Sequence, residues 1–185
     1  MKKKSAFVKE FFKEKKQVGA IAPSSRYLMK KMLEPIDFET AKVIIELGPG
    51  NGVFTKGLLK KMSSDSKLFS FELNTSFYDL IKSTIKDPRL ILVNESAEKI
   101  GDILKEHSIS EADYVVSSLP LAVIDASIKN DILDAAISHL NPNGNYIQFQ
   151  YTLNAKKLLE SKFNSVTYKF VPANIPPAFV YKCTI

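Results

Sequence analysis

Two acidic residues and three closely spaced glycines are the groups in this chain whose types and spacing most invite chemistry. Glu46 follows the apolar, β-branched run Val43-Ile44-Ile45 and precedes Leu47-Gly48-Pro49-Gly50-Asn51-Gly52. A buried strand that runs into such a turn and then opens a helix brings backbone N–H groups up against a polar ligand. A carboxylate at the end of that strand is costly to bury unless a cationic or hydrogen-bonding group satisfies it. Val53 stands where a dinucleotide fingerprint needs its third glycine, which disfavours nicotinamide and flavin binding. An ordinary strand-to-helix turn would also use glycine to relieve crowding, so support has to come from downstream. Glu72 ends a second apolar run, Leu68-Phe69-Ser70-Phe71. At about twenty positions beyond the glycines, its carboxylate can accept hydrogen bonds from both hydroxyls of a ribose, with Leu73 against the base.

Glu46-Leu47-Gly48-Pro49-Gly50-Asn51-Gly52 resembles the first motif of class I S-adenosylmethionine-dependent methyltransferases. The resemblance implies that Glu46 faces the cationic amino group of the donor, that Gly48, Gly50 and Gly52 line it, and that S-adenosylhomocysteine is the product. In Val93-Asn94-Glu95-Ser96-Ala97, Ser96 occupies the place where the family usually carries an acidic residue before alanine to hold the adenine amino group. Ser96 and Ala97 are therefore donor-site candidates, with Asn94 or Glu95 as substitutes, and Ser117 joins them at the end of the next strand. That strand is Asp113-Tyr114-Val115-Val116-Ser117, and the turn Ser118-Leu119-Pro120-Leu121 follows it. Methyltransferases of adenine amino groups place Asn or Asp first and an aromatic ring last in this turn. With Ser118 and Leu121 there instead, the stacking that holds a flat base, worth ~1–3 kcal/mol, is missing. An aliphatic amine needs no such platform.

A narrower resemblance covers nearly the whole chain. Val18-Gly19-Ala20-Ile21-Ala22-Pro23-Ser24-Ser25-Arg26, Ser118-Leu119-Pro120 and Asn174-Ile175-Pro176-Pro177-Ala178-Phe179-Val180-Tyr181 are similar to the soluble, membrane-associating phospholipid N-methyltransferases of bacteria. Those enzymes convert phosphatidylethanolamine to its mono-, di- and trimethylated forms, and the ribosomal RNA adenine dimethylases are their relatives. The resemblance implies that the N-terminal segment and the Pro-Pro hairpin help form the headgroup site. Ser24, Ser25 and Arg26 at a helix N-terminus suit an anion, either a lipid phosphate or the donor carboxylate, while simple helix capping is the alternative. Ser118, Leu119 and Pro120 are expected to meet the acceptor, and Tyr27, Asn174 and Tyr181 are candidates for orienting the amine or relaying its proton. An RNA adenine N-methyltransferase and a non-enzymatic lipid or nucleotide binder remain open beside this reading.

The elements that must position these groups follow from patterning. The chain has 185 residues, 45% of them apolar and 25% charged, which suits one soluble globular unit with a sizeable core. Strands are expected near 42–47, 67–72, 89–93, 112–117, 145–151, 163–171 and 178–184, and helices near 24–33, 53–62, 75–86, 98–106, 124–140 and 153–160. Their alternation predicts a Rossmann-like, doubly wound, mostly parallel sheet of seven strands, with the ligand crevice at the strands' carboxyl ends. Too few residues separate the last two strands for a crossover helix, so they should pair as an antiparallel hairpin.

Residues 1–34 read as an N-terminal amphipathic helix and cap segment, and 35–185 as the catalytic domain, in one compact unit. Phe7, Val8, Phe11 and Phe12 gather on one helical face with Lys9, Lys13 and Lys16 opposite, within a segment that also holds Lys2, Lys3 and Lys4. Such a helix can lie on an anionic membrane, follow a phosphate backbone, or pack on the protein's own core. Charges at Lys9, Glu10, Lys13 and Glu14 break any secretory or membrane-spanning segment there. The expected location is therefore cytoplasmic with peripheral membrane association. Cys183, the single cysteine, reads as a core residue, and with His107 and His139 assigned structural or surface roles no metal site is expected.

Overall fold

In the computed structural model of the chain, which describes residues 24–185, the apolar run ending in Glu46 forms a central strand, β1 (Val43–Leu47). The basic helix expected over 1–16 and the loop after it lie outside the described residues. After β1 come α2 (Val53–Lys61), β2 (Lys67–Phe71), α3 (Thr75–Thr84), β3 (Leu90–Val93), α4 (Ile100–Glu106), β4 (Ala112–Ser117), α5 (Ala126–Ser138), β5 (Leu140–Gln150), α6 (Lys156–Lys162), β6 (Ser165–Val171) and β7 (Ala178–Thr184). A helix α1 (Ser24–Leu33) precedes β1. The order across the single seven-stranded sheet is β3-β2-β1-β4-β5-β7-β6. The first five strands run parallel, and β7 pairs antiparallel to both β5 and β6. This is the doubly wound, Rossmann-like sheet with a terminal antiparallel hairpin that the patterning predicts.

Strands covered on both faces need apolar residues at successive positions, and β1 supplies them. Ile45 and Leu47 join the core under α4, α5 and α6, with Phe69, Phe71, Val115, Leu104, Leu133 and Leu159. Ile44 faces the other way, into the core under α1 and α2, with Leu28, Met32, Leu58, Leu68, Val116 and Ile147. Glu46 shares that second face, and 0% of it is exposed.

Boundaries differ from expectation where local geometry intervenes. The helix expected from 98 opens with a 3-10 turn, Ala97–Lys99, capped by the Ser96 hydroxyl, and α6 likewise follows a 3-10 turn, Leu153–Ala155, capped by Thr152. β5 starts at Leu140 rather than 145, because Leu140 pairs with Ala112 before a register shift that takes up Pro142 and Gly144. Such irregularity is where a strand tolerates proline and glycine.

Candidate functional site

The order of strands reverses between β1 and β4, and open α/β sheets bind ligands outside the carboxyl ends of strands at such a switch point. The two strand ends are stitched together there. Ser118 donates its backbone N–H to the Leu47 carbonyl at 2.9 Å, and Gly48 donates to the Phe71 carbonyl at 3.0 Å. Gly48, Gly50 and Gly52 all hold positive φ, at 70°, 58° and 78°. At Gly48 a Cβ would also stand 2.9 Å from Leu119 Cδ2, so the turn approaches the β4 end as closely as a backbone can. At Gly50 a Cβ would meet nothing within 4 Å, which leaves open space against the loop.

Glu72, 1% exposed, braces this loop from β2. Its Oε2 accepts from Gly50 N at 2.9 Å and its Oε1 from Asn74 N at 2.8 Å, while the Asn94 amide donates to the Glu72 carbonyl at 2.7 Å. Leu73 beside it is exposed.

Glu46 is held differently. One oxygen, Oε2, accepts from Thr55 Oγ1 at 2.8 Å and from Ser70 Oγ at 2.7 Å, which ties β1 to α2 and to β2. The other, Oε1, is buried without a partner. Burial lifts the Glu46 carboxyl from its ordinary value of 4.5 to about 7, the hydroxyls of Ser70 and Thr55 pulling against it and the charge of Glu72 adding to it. Thr55 and Ser70 escaped the sequence reading. Their signal was available, since Ser70 is the parallel partner of Glu46 in an otherwise apolar strand.

On the other side of the switch point, Ser118, Leu119, Pro120, Ala122, Val123, Phe149, Gln150, Tyr151 and Thr152 line a pocket of about 150 Å³. Its walls are chiefly apolar, and Ser118 Oγ is buried beside it without a partner. The Phe149 and Tyr151 rings meet edge to face at 5.6 Å, and Phe54 stacks on Phe149 at 6.0 Å. Leu121, in the place where adenine methyltransferases carry a ring, is 1% exposed and turned into the core. The aromatic wall comes instead from the end of β5, which the sequence reading did not single out.

The other candidates are more scattered. Ser117 is buried and its Oγ accepts from Leu119 N at 3.3 Å, shaping the turn. Ala97 is buried, and Ser96 donates to Glu98 Oε2 at 2.7 Å in addition to capping. Ser24 and Ser25 open α1, followed by exposed Arg26 and Tyr27, neither of which lines the pocket. Asn174, 4% exposed, donates from Nδ2 to the Pro176 carbonyl at 2.7 Å and locks the β6–β7 turn, which sits beside Gln150 at the same end of the sheet. Tyr181 is wholly buried opposite Gln148, on the face away from Glu46, and does not line the pocket; burial pushes its phenol up to about 12. Cys183 is a core residue whose buried thiol is likewise raised to about 12. His107 packs edge to face on Phe69, and His139 Nδ1 lies 2.9 Å from the Ala135 carbonyl, both structural settings. Among the described residues no helix is long and apolar enough to cross a membrane.

The chain is similar to known proteins. An ornithine lipid N-methyltransferase of Singulisphaera acidiphila is 29% identical over 179 residues, spanning 96% of this chain and 93% of that protein. A ribosomal RNA small subunit methyltransferase A of Sulfurihydrogenibium sp. is 28% identical over 138 residues, 68% of this chain and 50% of that protein. Among solved structures, a 16S rRNA methyltransferase of T. thermophilus in complex with AdoMet and guanosine superimposes with a TM-score of 0.66 at 18% identity, over 90% of this chain and 44% of that one. The sequence model of the methyltransferase small domain matches residues 18–171, from before α1 to the end of β6, and the chain belongs to that family.

Proposed function

We propose that this methyltransferase transfers methyl groups to the amine of a phospholipid headgroup, phosphatidylethanolamine and its methylated forms, at the surface of a membrane. The methyl donor is S-adenosylmethionine, which supplies a methyl group activated on a sulfonium. The crevice suits that donor. Glu46 Oε1 is a buried acceptor in want of a cationic partner, Gly50 leaves room against the loop, and the Glu72 carboxylate stands at the end of β2 beside exposed Leu73. Glu46, Gly48, Gly50, Gly52, Glu72 and Leu73 would hold it, with Ser96, Ala97 and Ser117 closing the far side.

The observation that carries the acceptor assignment is the pocket beside Ser118. Ser118 Oγ beside it is a buried hydroxyl without a partner, its walls are chiefly apolar, and Leu121 is withdrawn from it. An ammonium cannot attack a methyl group, and apolar walls favour the neutral amine by penalising charge. Ser118 Oγ can accept an N–H of that amine and hold its lone pair in place, so that much of the acceleration comes from positioning two reactants. The ring faces of Phe149 and Tyr151 suit a product that has gained a fixed positive charge. The lipid N-methyltransferase matched over nearly its full length supports a lipid amine. Arg26 and the start of α1 are offered as the phosphate contact, and the basic N-terminal segment as the membrane contact.

Radiolabelled S-adenosylmethionine incubated with the full chain, vesicles containing phosphatidylethanolamine and, separately, ribosomal RNA tests the reading. Label is expected in the lipid fraction. Label in the RNA alone would assign the chain to the adenine methyltransferases, and label in neither would favour a binding module.

A further inference from the structure

The carbonyl oxygen of Leu119, in the middle of the Ser118–Pro120 turn, accepts three hydrogen bonds. Gln148 Nε2 donates to it at 3.0 Å, Gln150 Nε2 at 2.8 Å, and the Leu121 backbone N–H at 3.0 Å. A carbonyl has two lone pairs, so nothing is left on this one for a ligand. The next carbonyl is filled as well, since Pro120 O accepts from the N–H groups of Val123 and Ile124 at 3.0 and 3.3 Å.

Neither glutamine is there by default. Both are buried, Gln148 at 0% and Gln150 at 6% exposure, and a buried amide must find partners for every polar atom. The Gln148 amide has its orientation fixed. Its Oε1 accepts from Tyr146 OH at 2.8 Å and its Nε2 donates a second bond to the Phe149 carbonyl at 2.7 Å, so a flip would set an oxygen against two carbonyls. Apolar residues of the same length would fill the same space between two aromatic-rich layers. Instead β5 aims two donors at one oxygen of the pocket's rim.

We infer that Gln148 and Gln150 determine acceptor specificity, as positioning residues that close the Leu119 carbonyl to the acceptor nitrogen and leave its recognition to the Ser118 hydroxyl. The inference rests on the amine N-methyltransferase reading and deepens it. A carbonyl acceptor ranks amines by their N–H groups, because each methylation removes a donor that it would otherwise bind. A single hydroxyl acceptor takes one N–H, which primary and secondary amines both supply while their lone pair stays free to attack the methyl group. A pocket whose carbonyls are already occupied therefore treats primary and secondary amines alike, and it lacks the paired acceptors that a planar nucleobase amino group requires.

The experiment compares kcat/KM for vesicles carrying phosphatidylethanolamine, its N-methyl form or its N,N-dimethyl form. The wild-type chain should treat the first two within about threefold, less than one neutral hydrogen bond is worth. Gln148→Met and Gln150→Met together keep the side-chain lengths but leave only the Leu121 N–H on the Leu119 carbonyl, and should shift preference toward the primary amine by about tenfold, as one freed carbonyl acceptor would. Gln150→Met alone should leave the preference unchanged, since Gln148 and the Leu121 N–H still fill the oxygen, and thermal melting and calorimetric binding of S-adenosylhomocysteine report whether each variant keeps its fold and donor crevice. A variant that lowers all three substrates by one common factor has lost only structure, and the inference fails. It fails too if the wild type already prefers the primary to the secondary amine by tenfold, a result that depends on no variant. A wild type that labels none of the three lipids instead sinks the lipid-amine reading itself.

Discussion

At the scale of single residues, Glu46 is a buried carboxyl with one oxygen unpartnered. Its folded-state carboxyl, at about 7, lies above its value in the unfolded chain, so the protonated form is the one that the fold favours. The stability it permits is fully present below about pH 4.5 and is lost as pH rises through 7, on the order of 3 kcal/mol for a displacement of that size. In the absence of donor, thermal melts should therefore fall between pH 5 and 8, and Glu46→Gln should flatten that slope by keeping a neutral group in place. A cationic ligand acts oppositely, because it needs the carboxylate: calorimetry with S-adenosylhomocysteine should show binding tightening over the same range, with a proton released. A slope unchanged in Glu46→Gln would remove Glu46 from both roles. Gly48 and Gly50 offer a paired comparison. Each holds a left-handed backbone conformation that costs an alanine ~1–2 kcal/mol, but only at Gly48 does the new Cβ press on Leu119. Both alanine variants should melt early by similar amounts, while Gly48→Ala alone should raise the acceptor KM, since the displaced Leu119 is a wall of that pocket.

At the scale of elements, the strands were readable because a parallel sheet covered on both faces demands mostly apolar runs, and β1, β2 and β4 have them, broken at Glu46, Ser70 and Asp113. β5 was half readable. Its second half alternates in type, Tyr146, Gln148 and Gln150 toward one core and Ile147 and Phe149 toward the other, yet its first half holds Asn141, Pro142, Asn143 and Gly144, which spell a turn. Pairing with Ala112 overrode that local preference, and no local pattern announces a partner so far away in sequence. The donor crevice was legible for the same reason as β1: glycine spacing and strand-end carboxylates are local signals. The acceptor wall was not, because Phe149 and Tyr151 look like ordinary strand residues until β5 lies beside β4, and Tyr181 looks accessible until β6 and β5 bury it from both sides. One unsuspected brace is Arg89, before β3. Its guanidinium donates to the carbonyls of Leu59, Met62 and Ser63 at 2.8, 2.6 and 3.3 Å and pairs with Asp87 at 2.7 Å, closing the C-terminal end of α2. A planar fork makes these bonds together and an ammonium cannot. Arg89→Lys should therefore cost ~1–3 kcal/mol in denaturant melts, nearly as much as Arg89→Met, and near-wild-type stability of the lysine variant would show the fork to be dispensable.

For the whole molecule, charge and chemistry are set at different ends of the chain. The formal net charge is +6, and residues 1–23 alone hold seven lysines against two glutamates, so the rest of the chain is close to neutral. Glu46, Glu72, the glycine loop and the described lining of the acceptor pocket come from residues beyond that segment. Val123 and Tyr151, which line the pocket, and Ile175, in the hairpin turn, are exposed apolar side chains, Ile175 at 78%. Attraction to an anionic surface contributes about 1 kcal/mol per lysine close to it and fades beyond a Debye length. A chain whose positive charge lies in the N-terminal segment and whose apolar rim surrounds the pocket should thus lose membrane affinity and methyl-donor affinity independently. Removal of residues 1–16 is expected to cut co-sedimentation with anionic vesicles by tenfold or more, on the order of 1.4 kcal/mol at the least, while S-adenosylhomocysteine binds as before. The full chain should lose its own vesicle binding as salt is raised, and the shortened chain should be nearly insensitive to it. Equal sedimentation of the two would place the membrane contact on the apolar rim alone and leave the lysines as solvated charge.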